Sequence, residues 1–276
     1  MPDTARGPTV RTVPARTLGR YLVEGPEHGP LLVGFHGYGE NAERHLEALR
    51  TLPGVRHFRL VAVQALHRFY KTKTGEVVGS WMTRLDREQA VADNLAYVAT
   101  VVDALMREGA PKLVFAGFSQ GASMAWRAAV RSAHPCHGVI ALGGDMPPDV
   151  AEDPAAAFPP VLIGRGTRDG WYTEAKMARD LEVLEARGAR PETVVFEGGH
   201  EWGEPFLGAA GGFLGRISGA QAGGSPRRAR PAAPPLPPAA RGRGPDGGRA
   251  PWPASARPSP RAAASAVRGS RRAGSG

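Results

Sequence analysis

The chain has 276 residues, a net charge of +9 and a single cysteine, Cys136. That length allows one large or two small domains, and one cysteine excludes an internal disulfide framework, in keeping with a reducing, cytoplasmic setting. No apolar run approaches the roughly 20 residues of a membrane helix and none near the start has the make-up of a secretory signal, so no membrane span is expected.

Residues 1–16 read as a flexible lead-in, and the pattern begins at about Thr17. "RYLVEG" (20–25) reads as an edge strand, followed by "LLVGF" (31–35). "NAERHLEALRTL" (41–52) reads as a helix opened by an Asn cap, and "RLVAV" (59–63) as the next strand. "DREQAVADNLAYVATVVDALMREG" (86–109) carries Val91, Leu95, Val98, Val102 and Leu105 at helical spacing, with Asp86 at its start and Gly109 at its stop. "KLVFAGF" (112–118), a helix over "SMAWRAAVRSA" (123–133), and the strands "GVIAL" (138–142) and "VLIG" (161–164) come next. "TEAKMARDLEVLEARG" (173–188) is a helix between Thr173 and Gly188, and "TVVF" (193–196) is the last strand. These strands are short, rich in Val and Ile and nearly uninterrupted, as strands buried on both faces of a parallel sheet are. Their alternation with helices predicts an α/β fold over 17–218, a mostly parallel central sheet with helices on both faces.

The charge lies elsewhere. Residues 219–276 hold 11 Arg, no Lys and one acid, Asp246, whereas the preceding 218 residues hold 24 basic and 25 acidic ones. Ala, Arg, Pro, Gly and Ser dominate this tail and almost nothing in it could be buried, so it is expected to be disordered. Unpaired arginines would allow weak, salt-sensitive, non-specific contact with nucleic acid. A stacking ladder is missing, since Trp252 is the tail's one aromatic residue.

"GFSQG" (117–121) places Ser119 between two glycines where a strand passes into a helix. A nucleophilic serine needs such a sharp corner, with small neighbours because helix and strand pack closely there. It also needs a base and an orienting acid, which on such a fold follow in the order Ser, acid, His. His134 and His137 fall at the wrong end of the next strand, whereas His200 follows "TVVFEGG" at a strand's C-terminal end. Asp169 in "VLIGRGTRD" is the preferred acid and Asp145, after "VIALGG", the alternative. The oxyanion requires backbone donors, expected at Gln120 and, in the Gly-rich "LLVGFHGYGEN" (31–41), at Tyr38. His36 is expected to hold that loop without taking part in proton transfer.

Together, HGYG, GFSQG, GTRDGWYT and GGHEW, in this order, resemble the phospholipase/carboxylesterase, acyl-thioesterase-like group of α/β hydrolases over about residues 17–215. The resemblance implies Ser119 as nucleophile, Asp169 as acid, His200 as base, Tyr38 and Gln120 as oxyanion donors, and neither metal nor organic cofactor. Tyr38 stands where the acyl-thioesterase branch often has Leu, which bears on substrate preference and not on the backbone donor.

The expected substrate is a small-molecule carboxylic ester or thioester, cleaved through an acyl-enzyme; a lysophospholipid would use the same residues. Only residues 143–159 lie where larger hydrolases insert a cap, so an open cleft without a large lid is expected. Trp81, Trp171, Tyr172 and Trp202 are candidate cleft walls, with Trp81 foremost because it sits on a loop, while Met124 and Trp126 are expected in the core. "HPCH" (134–137) has no second ligand pair at useful spacing, so no metal site is expected there.

Overall fold

The computed structural model describes residues 9–219. The first half of the lead-in expected from the sequence and the tail beyond Gly219 therefore lie outside the described residues.

Among the described residues, nine strands and six α-helices follow one another in the order β1 (Arg20–Glu24), β2 (Leu31–Phe35), α1 (Ala42–Arg50), β3 (Arg59–Gln64), β4 (His67–Tyr70), β5 (Val77–Ser80), α2 (Arg87–Arg107), β6 (Leu113–Phe118), α3 (Gln120–Arg131), β7 (Gly138–Leu142), α4 (Pro148–Ala151), β8 (Val161–Gly166), α5 (Glu174–Ala186), β9 (Glu192–Phe196) and α6 (Glu204–Ser218). Seven strands form one sheet in the order β1-β3-β2-β6-β7-β8-β9. The edge strand β1 runs antiparallel to β3 and the other neighbours are parallel. β2, β6, β7 and β8 are buried along their whole length, which explains their unbroken apolar runs.

Alternate residues of each strand enter two separate cores. Leu31, Val33 and Phe35 pack with Val98 and Val102 of α2, Met124 and Trp126 of α3, and Met177 and Leu184 of α5. Leu32, Ala62, Val114 and Ile140 face the other way, onto Leu46 and Leu49 of α1 and Phe206, Phe213 and Leu214 of α6. Helices thus cover both faces, and the C-terminal ends of the parallel strands are left at one rim for loops.

The caps follow the sequence in two of three cases. Asn41 accepts from the Arg44 N–H and Thr173 from the Lys176 N–H. Asp86 instead takes a left-handed conformation, φ 47°, and its side chain caps nothing. α3 begins at Gln120, three residues before its apolar periodicity starts, because the elbow sends the chain directly from strand into helix.

Helix α6 and the β4–β5 hairpin were not expected. α6 holds four glycines, a poor helix composition. Burial of Phe206, Ala210, Phe213 and Leu214, spaced to share one face, overrides it. β4 and β5 form a separate hairpin whose first strand is wholly exposed, so no alternating pattern marks it. Between β7 and β8 the chain carries only the four-residue α4, with no inserted cap.

Candidate active site

β6 delivers Ser119 to the rim at a sharp corner. Ser119 has φ 56° and ψ −120°, and only it and Asp86 have positive φ among the described non-glycine residues. Such a conformation is strained and is held only where the surroundings over-determine it. The flanking glycines show how. A Cβ on Gly117 would stand 2.2 Å from the Gly121 carbonyl oxygen, and one on Gly121 would stand 2.0 Å from that of Phe35. Both distances are far inside contact, so the helix can lie this close to β2 and β6 only with glycine at both places. The strand–helix corner is thereby closed tightly enough to turn the half-buried serine outward.

β8 and β9 supply a second pair of groups. Asp169 is 5% exposed and follows β8; its Oδ1 accepts from the backbone N–H groups of Trp171 (2.8 Å) and Tyr172 (2.9 Å). Its Oδ2 accepts from Nδ1 of His200, which follows β9, at 2.8 Å. That bond favours the imidazole tautomer with the proton on Nδ1 and with Nε2 unprotonated. The Phe118 ring packs on the imidazole at 4.7 Å between centroids and on Trp202 at 5.9 Å.

β7 provides the floor that joins these two halves. After it, Gly143 and Gly144 pass between serine and histidine. A Cβ on Gly143 would lie 3.1 Å from Cε1 of His200, and one on Gly144 would lie 2.1 Å from the Ser119 carbonyl oxygen. The imidazole and the elbow therefore approach adjacent residues of one loop. Ser119 Oγ makes no hydrogen bond among the described residues. Catalytic hydrogen bonds are often long without substrate and tighten when it binds.

The loop after β2 is braced from three sides. His36 is fully buried; its Nδ1 donates to the Gly37 carbonyl (2.7 Å), and its Nε2 accepts from the Ala65 N–H (3.1 Å). Burial lowers its pKa from 6.5 to about 4, so it stays neutral and structural. Trp81 Nε1 donates to the His36 carbonyl (2.8 Å), and Glu40 Oε2 accepts from the Gly37 N–H (2.8 Å). The backbone N–H groups of Tyr38 and Gln120 donate to nothing among the described residues. The Gln120 side chain ties the start of α3 to the neighbouring loop, accepting from the Trp81 N–H (2.9 Å) and donating to the Met82 carbonyl (3.0 Å).

The four wall candidates separate into two kinds. Trp81 and Tyr172 are both 0% exposed and present no surface to a ligand, which corrects their reading as cleft walls. Trp81 is a brace for the HGYG loop: its ring packs edge-on against Phe35, and its N–H spans a loop that looked free in sequence. Tyr172 points into the core, its hydroxyl donating to Asp180 (2.9 Å). Trp171 is 74% exposed and Trp202 half-buried, so both present surface near the rim. Asp145, the alternative acid, pairs with Lys176 (3.6 Å) and Arg179 (3.7 Å) instead of a histidine. His134 bonds Asp103, and the His137 ring accepts from the Leu113 N–H. Burial pushes the Cys136 thiol up to about 11, away from thiolate chemistry.

Three contributors were not picked out from sequence. Phe118 lies inside the serine motif, where any residue matches, so only its packing identifies it. Glu40 acts through a bond to backbone. The Gly143–Gly144 step, with φ 64° at Gly143, packs beneath the histidine, and a pair of glycines carries no sequence mark of that role.

The family model described as phospholipase/carboxylesterase matches residues 23–217. No curated protein matches the chain significantly. Among solved structures, esterase PE8 is similar at 24% identity, over 73% of this chain and 100% of that one, with a TM-score of 0.58. A phospholipase/carboxylesterase from Dyadobacter fermentans matches at 23% identity, over 71% and 97% of the two chains, with a TM-score of 0.57. Acyl-protein thioesterase 2 from Zea mays matches at 21% identity, over 72% and 99%, with a TM-score of 0.58. At these identities the likeness to the solved structures speaks for the fold.

Proposed function

The chain belongs to the phospholipase/carboxylesterase family of α/β hydrolases, and from that premise we propose that it cleaves carboxylic esters through an acyl-enzyme on Ser119. In this reading His200 Nε2 takes the Ser119 hydroxyl proton as Oγ attacks the acyl carbon. The N–H groups of Tyr38 and Gln120 hold the oxyanion, and Asp169 steadies the imidazolium. Collapse breaks the bond to the leaving group, which receives the proton from His200. Water then attacks the acyl-enzyme, giving its proton to His200, and the second collapse returns a proton to Ser119 and frees the acid. Every step uses side chains, backbone and water.

The observation that carries this reading is the 2.8 Å bond between His200 and Asp169, formed across 31 residues of sequence. A thioester or lysophospholipid would be cleaved by the same atoms. The exposed Trp171, the half-buried Trp202 and the absence of a large insertion between β7 and β8 favour small or extended acyl groups. The single cysteine suits a reducing compartment, and the cytoplasm is the location we propose; no described helix is long and apolar enough to cross a membrane.

The test is covalent labelling by a fluorophosphonate, followed by a series of p-nitrophenyl esters of rising chain length beside acyl thioesters. Labelling and turnover should both vanish in Ser119→Ala. Folded native protein that takes no label would refute the proposal.

A further inference from the structure

We propose that Asp180 is a positioning residue for the histidine–acid pair, joining the loop that carries Asp169 to the loop on which the His200 ring rests. The inference builds on the hydrolase reading above.

Asp180 lies on α5, 2% exposed, and one oxygen does all its work. Oδ2 accepts from the backbone N–H of Met146 and from the hydroxyl of Tyr172, each at 2.9 Å. The two donors come from different segments. Tyr172 belongs to the loop after β8, and its own N–H is one of the two that hold Asp169 Oδ1. Met146 lies in the loop after β7 that begins at Gly143, where a Cβ would stand 3.2 Å from His200 Nδ1. The positions of acid and imidazole are thus referred to a single buried carboxylate.

Packing alone does not call for an acid at this place. Met177 and Leu184 of the same helix fill the core beside it. A buried carboxylate is costly, and burial pushes this one up to about 6, with Asp145 adding to the effect. The Met146 N–H, the Tyr172 hydroxyl and Arg179 work in the opposite sense. What the carboxylate provides and an apolar residue would not is an acceptor that both loops share. Reacting groups misplaced by about 1 Å can lose on the order of a hundredfold in rate, so a link between these loops has kinetic weight.

The experiment compares Asp180→Ala, Asp180→Asn, Tyr172→Phe and the double variant Asp180→Ala/Tyr172→Phe in the full chain. Turnover of a p-nitrophenyl ester is counted per site that reacts with a fluorophosphonate, so loss of folded protein does not enter kcat. Asp180→Ala and Tyr172→Phe should each lower kcat about tenfold with KM within about twofold. The double variant should be no slower than the worse single one, because both changes cut one link. Asp180→Asn should restore kcat to within about threefold, since an amide oxygen has two lone pairs for the same two donors.

The second readout needs no turnover. The His200 Nδ1–H bonded to Asp169 should give a downfield proton resonance, absent in His200→Ala, that weakens or moves upfield in Asp180→Ala and Tyr172→Phe and persists in Asp180→Asn. Wild-type kcat in Tyr172→Phe, or Asp180→Asn as slow as Asp180→Ala, would overturn the proposal. If Asp180→Ala does not fold, Tyr172→Phe decides, since it removes one hydroxyl. If the native protein cleaves no ester, the resonance decides alone: the expected pattern upholds the positioning role while the hydrolase reading falls, and an unchanged resonance in Tyr172→Phe removes the positioning role too.

Discussion

Two buried imidazoles should make the fold sensitive to mild acid, and His45 allows this to be measured. His45 is 1% exposed on α1, packs against Trp202, and neither ring nitrogen has a partner among the described residues. Burial lowers its pKa from 6.5 to about 3 and that of His36 from 6.5 to about 4. In the unfolded chain both return to the ordinary value, so between about 4 and 6.5 the unfolded state binds more protons and stability rises with pH. The contribution is complete above about 6.5 and is withdrawn as pH falls toward the folded values. Asp180 has the opposite sign. Its folded pKa of about 6 exceeds the ordinary 3.8, so its burial destabilises most above 6 and less in acid. From pH 7 to pH 5 each histidine withdraws about 2 kcal/mol and Asp180 returns about 1 kcal/mol, a net loss of about 2–3 kcal/mol.

His45→Leu isolates one part of that sum. Leucine is close to histidine in volume and carries no polar atom to leave unsatisfied. Stability at pH 7 should therefore hold or rise, by up to about 1–3 kcal/mol. The loss on going to pH 5 should shrink by about 2 kcal/mol. Urea unfolding followed by tryptophan fluorescence at pH 5, 6 and 7, at constant ionic strength, measures both quantities. An identical pH slope in wild type and His45→Leu would refute the reasoning, because it would mean that this imidazole takes up its proton in the fold as readily as in water.

Asp169→Asn should lower kcat by roughly 10³–10⁴-fold while leaving the fold intact, because the amide removes the acceptor that sets the His200 tautomer; steady-state ester hydrolysis beside circular dichroism reads both. For Gly121→Ala the added methyl has 2.0 Å in which to fit against the Phe35 carbonyl oxygen, and backbone cannot yield as a side chain can. A melting experiment should find a loss toward the upper part of about 1–3 kcal/mol, and fluorophosphonate labelling should slow as the elbow opens. Trp81→Phe keeps most of the ring packing but leaves the His36 carbonyl without its buried donor. Chemical denaturation should register about 1–3 kcal/mol, with kcat falling more than KM rises if the HGYG loop loosens.

Much of the fold was legible because the sheet is nearly parallel. Strands buried on both faces must be apolar throughout, so β2, β6, β7 and β8 announce themselves as short continuous runs, and the helices between them show their own period. Where that logic fails, a physical reason is at hand. β4 is exposed at every residue and is held by pairing with β5, so composition carries no trace of it. α6 is a helix by burial and not by propensity. Asp86 has the right identity for a cap, but its backbone is left-handed where a cap is normally extended, and its side chain makes no cap bond.

The candidate site divides along a similar line. Ser119, Asp169 and His200 each end a strand at the same rim, and strand order alone brings such ends together. The side chains that orient them do not share that address. Trp81 and Tyr172 have aromatic rings that suit a cleft or a core equally well, and only burial decides between the two. Both prove to be supports: one bonds the carbonyl of His36, the first residue of HGYG, and the other hangs the acid loop from Asp180. A motif records where chemistry requires one kind of atom, whereas support can come from any donor that reaches the same oxygen. The Asp180 link is visible only because donors from two separate loops converge on one of its oxygens, and sequence periodicity does not encode convergence of that kind.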